Sequence, residues 1–173
     1  MDALTLHFAS LQGIIIAGSG NTDSPGRCSM PTVSWLLSKR NSGPIAACSV
    51  DDTVLDAAVL MNERMIGSVA VLDGDRLVGI FTERDILQRI VAVECDPAAT
   101  RLGDVMSAPV TVAASNTPLD MLRTIMRDAH IRHIPIVDGD TPIAMVSIGD
   151  LNKAHADEQN ETIHALETYV SIR

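Results

Sequence analysis

The chain has 173 residues, 46% of them apolar and 20% charged, and its 22 Asp and Glu outweigh 13 Lys and Arg for a formal charge of −9. A mean hydropathy of +0.20 argues against disorder, because enough apolar surface is present to offset the entropy lost on folding, in one ordinary domain or two small ones. Residues 1–43 hold two of the acids and three of the bases, which leaves 20 acids against 10 bases beyond them; with no basic run and only Phe8, Trp35, Phe81 and Tyr169 as aromatics, nucleic-acid binding is excluded.

No apolar run is long enough to span a bilayer. Cys28, Cys48 and Cys95 are odd in number and lack C-x-x-C spacing, which suits a reducing cytoplasm rather than a disulfide framework or a zinc site.

In chain order, Gly18 to Gly26 is polar and turn-rich without apolar periodicity, so residues 1–29 are expected to form a loose, disordered extension that the fold can dispense with. The apolar segment at its start lacks the basic residues of a signal peptide. Ile14-Ile15-Ile16 followed by Gly18-x-Gly20 opens like a dinucleotide-binding turn, but Asp23 stands where the third glycine belongs and Pro25-Gly26 interrupts the helix that must follow. Met30 reads as the start of a folded unit.

An internal repeat dominates the rest. A shift of 65 positions without gaps aligns Pro44 with Pro109, Met61 with Met126, Asp73-Gly74-Asp75 with Asp138-Gly139-Asp140, and Asp85 with Asp150. Apolar positions keep the same register, with Val69, Val71, Val78 and Ile80 meeting Ile134, Ile136, Ile143 and Met145. Each copy predicts a strand, a helix, a hairpin and a second helix. In copy one Asp52 is the expected cap of a helix with the stripe Val54, Ala57, Ala58 and Met61. In copy two Thr117 is the expected cap, Pro118 the first helical residue, Asp120 an acid favoured by the helix dipole, and Leu119, Leu122 and Met126 the stripe. Asp73-Gly74 and Asp138-Gly139 are hairpin turns between apolar runs. Glu94 to Arg101, with Pro97, links the copies, so the domains are drawn at 30–95 and 96–155. A C-terminal helix over 156–173 carries Ile163, Leu166 and Val170 on one side, a spacing suited to packing.

Thr82-x-x-Asp85 and Ser147-x-x-Asp150 open the closing helices, and their chemistry has two readings. As a capping box with Asp in place of Glu or Gln, each is explained by backbone hydrogen bonds alone. As a binding element, the exposed amides and positive helix end receive phosphate while the carboxylate accepts the two hydroxyls of a ribose.

Pro44-Ile45 with Gly79-Ile80-Phe81-Thr82-Glu83-Arg84-Asp85, and Pro109-Val110 with Arg132-His133-Ile134-Pro135 and Ser147-Ile148-Gly149-Asp150, closely resemble tandem cystathionine-β-synthase (CBS) domains over about residues 31–155. The resemblance implies an α/β (α+β) fold in which two copies pack sheet to sheet as a pseudo-twofold module. It also implies two clefts for adenosine-containing ligands such as AMP, ATP, NAD or S-adenosylmethionine. Carried over by motif, Thr82 and Asp85 would serve one cleft and Ser147 and Asp150 the other, each hydroxyl facing phosphate and each acid holding ribose. Arg132-His133 falls where nucleotide-sensing members place basic side chains on phosphate, whereas copy one has Gly67-Ser68 there. Ile45, Arg84, Val110 and Pro135 complete the candidate contacts, and Ala144 replaces the signature glycine of copy two.

The function expected from this resemblance is a non-enzymatic, cytoplasmic sensor of an adenine nucleotide that needs no cofactor and acts through an effector protein. A homodimer is expected through the second apolar face made by Leu55, Val59, Leu60, Met121 and Ile125. Two alternatives remain: a structural homodimerisation module with empty clefts, and a small hydrolase using His133 and Asp150 as an acid–base pair. No nucleophile elbow, Walker loop or H-E-x-x-H accompanies the hydrolase reading. His130 and His133 stand three apart, but no cysteine or acid completes a metal set with them.

Overall fold

The computed structural model describes residues 10–11, 14–17, 31–40, 43–139 and 141–171, with side chains over 31–40, 43–139 and 141–160 and at 167 apart from position 140. Strands β1 (Ser10–Leu11) and β2 (Ile14–Ala17) and helix α1 (Val33–Lys39) precede copy one. Copy one comprises β3 (Ala47–Ser49), α2 (Val54–Arg64), β4 (Ser68–Asp73), β5 (Arg76–Thr82) and α3 (Glu83–Ile86), the last continued by a π-helical turn over Leu87–Val91. After α4 (Leu102–Val105), copy two repeats the order as β6 (Val110–Ala114), α5 (Leu119–Asp128), β7 (His133–Asp138), β8 (Thr141–Ser147) and α6 (Ile148–Ser171).

The strands form two sheets, ordered β3-β4-β5 and β1-β2-β6-β7-β8. Within each copy the first strand runs parallel to the second and the hairpin is antiparallel. The repeat extends to local irregularities: the hairpin ladders slip between Val71 and Leu72 and between Ile136 and Val137, positions that the 65-residue shift superposes. Gly74 and Gly139 both turn with φ of 60°, a conformation that costs a residue without Cβ least.

Residues 14–17 depart from the loose extension expected for 1–29. Ile14 to Ala17 run parallel to β6, from Ile14 beside Val110 to Ala17 beside Ala113. A β-branched triplet suits a strand, and its backbone pairs groups that β6 would otherwise leave open at an edge. Residues 18–30, Cys28 included, lie outside the described residues.

Three buried clusters hold the fold together. Val54, Ala57 and Met61 of α2 meet Val69, Val71 and Phe81 of the first hairpin, and Leu119, Leu122 and Met126 of α5 meet Ile134, Ile136 and Val146 of the second. Between the sheets lie Ala70, Leu77, Val110, Val112 and Val137. The helices preceding the copies are exchanged. Val33 and Leu36 of α1 are buried in copy two, while Leu102 of α4 is fully buried in copy one. Backbone bonds fix both crossings: the Val33 amide donates to Thr117 (2.9 Å) and Leu119 to Pro31 (2.9 Å), and correspondingly Val54 donates to Thr100 (3.0 Å) and Leu102 to Asp52 (2.8 Å). A division at 95/96 therefore separates the sequence repeats and cuts across the packed units.

The same crossings move both helix caps by one residue. Thr53, not Asp52, caps α2: its hydroxyl accepts the Asp56 amide and the Asp56 carboxylate accepts the Thr53 amide, while Asp52 accepts the Ser49 amide. In copy two Pro118 occupies the cap without a side-chain bond, and the Thr117 hydroxyl is buried with no partner. The physical cause is the β-bridge each pre-helical residue makes with the incoming chain, Thr53 with Arg101 and Pro118 with Thr32.

Helix α6 runs unbroken from Ile148, so the segment over 156–173 prolongs the closing helix of copy two up to Ser171. The side chains of Ile163, Leu166 and Val170 lie outside the described residues. No helix among the described residues is long and apolar enough to cross a membrane. On the outer face Leu55 and Val59 are 45% and 47% exposed. Leu60 and Ile125 instead pack against the cores of their own copies, and Met121 is half-buried.

Candidate functional site

Ser147 ends β8 and leads into α6, and Asp150 folds back on it. Asp150 Oδ2 accepts the Ser147 amide (2.8 Å) and hydroxyl (2.7 Å), and the Asp150 amide donates to Ser147 Oγ (3.3 Å). Arg40, from the C-terminal end of α1, lies 3.0 Å from the same Oδ2 and donates to the Met145 carbonyl (3.3 Å). Every contact of the Asp150 carboxylate falls on Oδ2, and Oδ1 accepts from no described residue.

This box opens on a cleft of about 910 Å³ whose opposite wall is Pro44, Ile45 and Ala46 of copy one. A second cleft of about 600 Å³ adjoins it, between Met61 of α2, Glu83 of α3, and Arg132 and Gly149 of copy two. Met65, Ile66, Gly67, His133 and Ser147 line both, so the two clefts run along one seam between the copies. The seam is built symmetrically: the Glu83 amide donates to Gly67 and the Ile148 amide to Arg132 (3.2 and 2.9 Å). At Gly67 a Cβ would come within 3.2 Å of the Glu83 carboxylate, so the missing side chain keeps this point open. His133 is half-buried. Burial, reinforced by the neighbouring Arg132 charge and only partly offset by Asp150 and Glu83, holds its pKa below 6.5 and the ring neutral at pH 7.

The corresponding box of copy one is closed by its own chain. Asp85, 6% exposed, uses Oδ2 for the Thr82 amide (2.9 Å) and hydroxyl (2.6 Å), while Oδ1 accepts the Ser107 hydroxyl (3.1 Å) and lies 3.5 Å from Arg89 Nε. Arg89 also donates to the carbonyls of Val105 and Met106, each at 2.6 Å. Ser107 and Ile80 exchange backbone hydrogen bonds, and the Met106 side chain occupies the space a Cβ on Gly79 would need.

Of the residues singled out in the sequence, Ile45, Arg132, His133, Ser147 and Asp150 therefore come together at the seam. Thr82 and Asp85 line neither cleft, for the reason just given. Arg84 is exposed away from both, Val110 is buried between the sheets at 2% exposure, and Pro135 is buried opposite Met145. Ala144, standing where the signature has glycine, lines the larger cleft. Sequence reasoning missed Lys39, Arg40, Arg64 and Lys153, which also line it. Only Lys153, one helical turn after Asp150, carried a local signal. His130 is exposed at φ of 54°, and no group of three or more metal-ligating side chains exists among the described residues. Cys48 is buried in copy one, where desolvation pushes its thiol up to about 11.

Comparison with known proteins agrees with this architecture. Over 128 residues the chain is 34% identical to the mitochondrial CBS domain-containing protein CBSX3 of Arabidopsis thaliana, a stretch covering 71% of this chain and 62% of that one, so under two thirds of the relative is represented. A putative signal-transduction protein with CBS domains from Burkholderia ambifaria superposes with a TM-score of 0.70 at 34% identity, over 75% of this chain and 96% of that one. A CBS domain protein from Pyrobaculum aerophilum, solved in complex with AMP, superposes with a TM-score of 0.62 at 25% identity, over 69% and 89% of the two chains. The CBS domain pattern itself matches residues 40–92 and 102–157, and on that match, together with the paired repeat and the shared fold, the chain belongs to the CBS domain family.

Proposed function

We propose that the protein is a non-enzymatic sensor module that takes an adenine nucleotide in the cleft between Ile45 and Asp150, with ribose on the Asp150 carboxylate and phosphate toward His133 and Arg132. One observation carries this reading: two boxes of the same design differ in what surrounds them. Asp85 spends both oxygens inside the protein, whereas Asp150 keeps Oδ1 outside that network and borders a cleft of about 910 Å³. A carboxylate that served only as a cap would need no such opening. The AMP held by the Pyrobaculum relative supports the ligand class.

Because Ile45 belongs to copy one and Asp150 to copy two, a ligand touching both favours one relation between the copies, and an effector or second subunit reads that relation. Copy one's own box acts as a structural cap, a role that Ser107 and Arg89 favour by enclosing it. The test is a thermal-shift series on the full chain with AMP, ADP, ATP, NAD, NADH and S-adenosylmethionine, repeated with Asp150→Asn. A rise in melting temperature with at least one ligand, lost in the variant, is the expected result, since a ligand bound only by the folded state stabilises it. No rise with any of the six rejects the reading, and conversion of the bound ligand to product rejects its non-enzymatic part.

A further inference from the structure

Each signature acid meets an arginine that the repeat does not predict. Arg89, beside Asp85, aligns with Ala154, and Arg40, beside Asp150, aligns with Val105. Arg89 stands one turn after Asp85 on the same closing helix, whereas Arg40 is the residue that ends α1. Equivalent carboxylates are thus neutralised by unrelated means, and the Arg40 pair is no by-product of the duplication.

Arg40 holds two points of the larger cleft: its Nη1 lies 3.0 Å from Asp150 Oδ2 and donates to the Met145 carbonyl at 3.3 Å. The first turn of α1 is anchored otherwise, by the burial of Val33 and Leu36 in copy two and by the Val33 and Ser34 amides, which donate to Thr117 (2.9 Å) and Ser115 (2.7 Å). Arg40 therefore pins the other end. Five residues further on, Ile45 forms the opposite wall of the cleft, so one short segment ties that wall of copy one to the carboxylate of copy two.

Asp150 Oδ2 faces Arg40 and accepts both donors of Ser147, while Oδ1 is left open. A ribose diol offers two hydroxyl donors, and a carboxylate receives such a pair with one on each oxygen. The first hydroxyl finds Oδ1 open and the second meets Arg40 at Oδ2. With side chains 34% and 23% exposed, the ion pair is weak enough for a ligand to break.

We infer that Arg40 is a latch on the cleft: a vicinal diol seated on both oxygens of Asp150 displaces it, and its release frees the end of α1 and the Pro44–Ile45 wall that follows. This rests on the adenosine reading above for the diol and adds how occupancy changes the cleft. Trp35, the only tryptophan of the chain, is half-buried on α1 with Lys39 over its ring at 4.3 Å, and so reports on that end of the helix.

The test follows Trp35 emission and titration calorimetry together on the full chain, with AMP and with 2′-deoxy-AMP at saturation. AMP is expected to change the emission along its binding curve, and 2′-deoxy-AMP, which brings one hydroxyl, to bind with little change. Arg40→Gln should bind adenosine about two- to fivefold more tightly, the worth of an exposed ion pair that no longer has to be broken, and should give the two nucleotides the same emission. No emission change with AMP bound, equal changes with the two nucleotides in the unaltered protein, or unimproved adenosine affinity in folded Arg40→Gln overturns the latch and leaves the adenosine reading standing. Absence of calorimetric binding by any adenosine compound overturns both. The emission comparison uses the unaltered protein, so it decides the matter even where the substitution unfolds the chain.

Discussion

The Ser107 hydroxyl donates to Asp85 Oδ1 at 3.1 Å, tying the segment that enters copy two to the signature acid of copy one. That bond occupies the oxygen which its counterpart in copy two leaves open, so the repeat is symmetric in backbone and asymmetric in chemistry. The expected stoichiometry is one nucleotide per chain, abolished by Asp150→Asn. Ser107→Ala should leave affinity intact and cost about 1 kcal/mol of stability, the net worth of a typical hydrogen bond. Two equivalents per chain in a calorimetric titration would contradict the closed box.

Phosphate discrimination should rest on copy two. Changing Arg132 and His133 together to Ala is expected to weaken AMP more than adenosine, because the lost contacts act on phosphate alone. Parallel losses for the two ligands would mean that the seam had merely been repacked.

The pH dependence follows from His133. Its folded pKa lies below the 6.5 of the free side chain, so the unfolded chain takes up the proton first; the stability it contributes is fully present above 6.5 and falls away as pH drops toward the folded value. A phosphate beside the ring favours the charged form and opposes that loss. The nucleotide-induced rise in melting temperature should therefore be larger at about pH 5.5 than at about pH 7.5, and the difference should shrink in His133→Asn. An unchanged difference in that variant would remove His133 from phosphate contact.

Two glycines with different surroundings make a packing test. A Cβ at Gly79 collides with the Met106 side chain, so Gly79→Ala is expected to cost about 1–3 kcal/mol. At Gly149, near the start of α6, a Cβ meets only Ser147 Oγ at 3.5 Å, and Ala should raise stability by up to about 1 kcal/mol. Denaturant midpoints of the two variants read both signs directly.

Leu55 and Val59 remain half exposed on the outer face of α2. A homodimer through this face predicts that Val59→Asp sediments as a monomer with its melting temperature little changed by local effects. A variant that stays dimeric would direct the search for the contact to another face.

The internal repeat made much of this fold legible, because a shift of 65 carried strands and hairpin turns from one copy to the other. Ile45, Ser147 and Asp150 were visible for the same reason, as parts of repeated motifs, whereas His133, which faces Ser68 in the repeat, was visible only through the family resemblance. What the repeat could not disclose lies in contacts between its units. Asp85 and Asp150 occupy equivalent places in sequence, and only the position of Ser107, 22 residues from Asp85 and pulled in by pairing with Ile80, closes one and not the other. The cap at Thr53 was misplaced by one residue because the bridge to Arg101 comes from a distant segment. The cations that line the larger cleft were invisible because residues such as Arg64 and Lys153 stand 89 positions apart and come to one cleft only on folding.

The exchanged helices give the module the topology of a clasped pair. Since Leu102 fills the core of copy one from beyond the linker, and Val33 and Leu36 fill the core of copy two from before copy one, neither half carries a complete interior of its own. A chain severed in the linker would yield two fragments that must find each other to fold, and loosening either core by a bound molecule or a substitution would be felt in the other. The duplicated chain should thus behave as one melting unit, with a single transition in a calorimetric scan where its sequence suggests two.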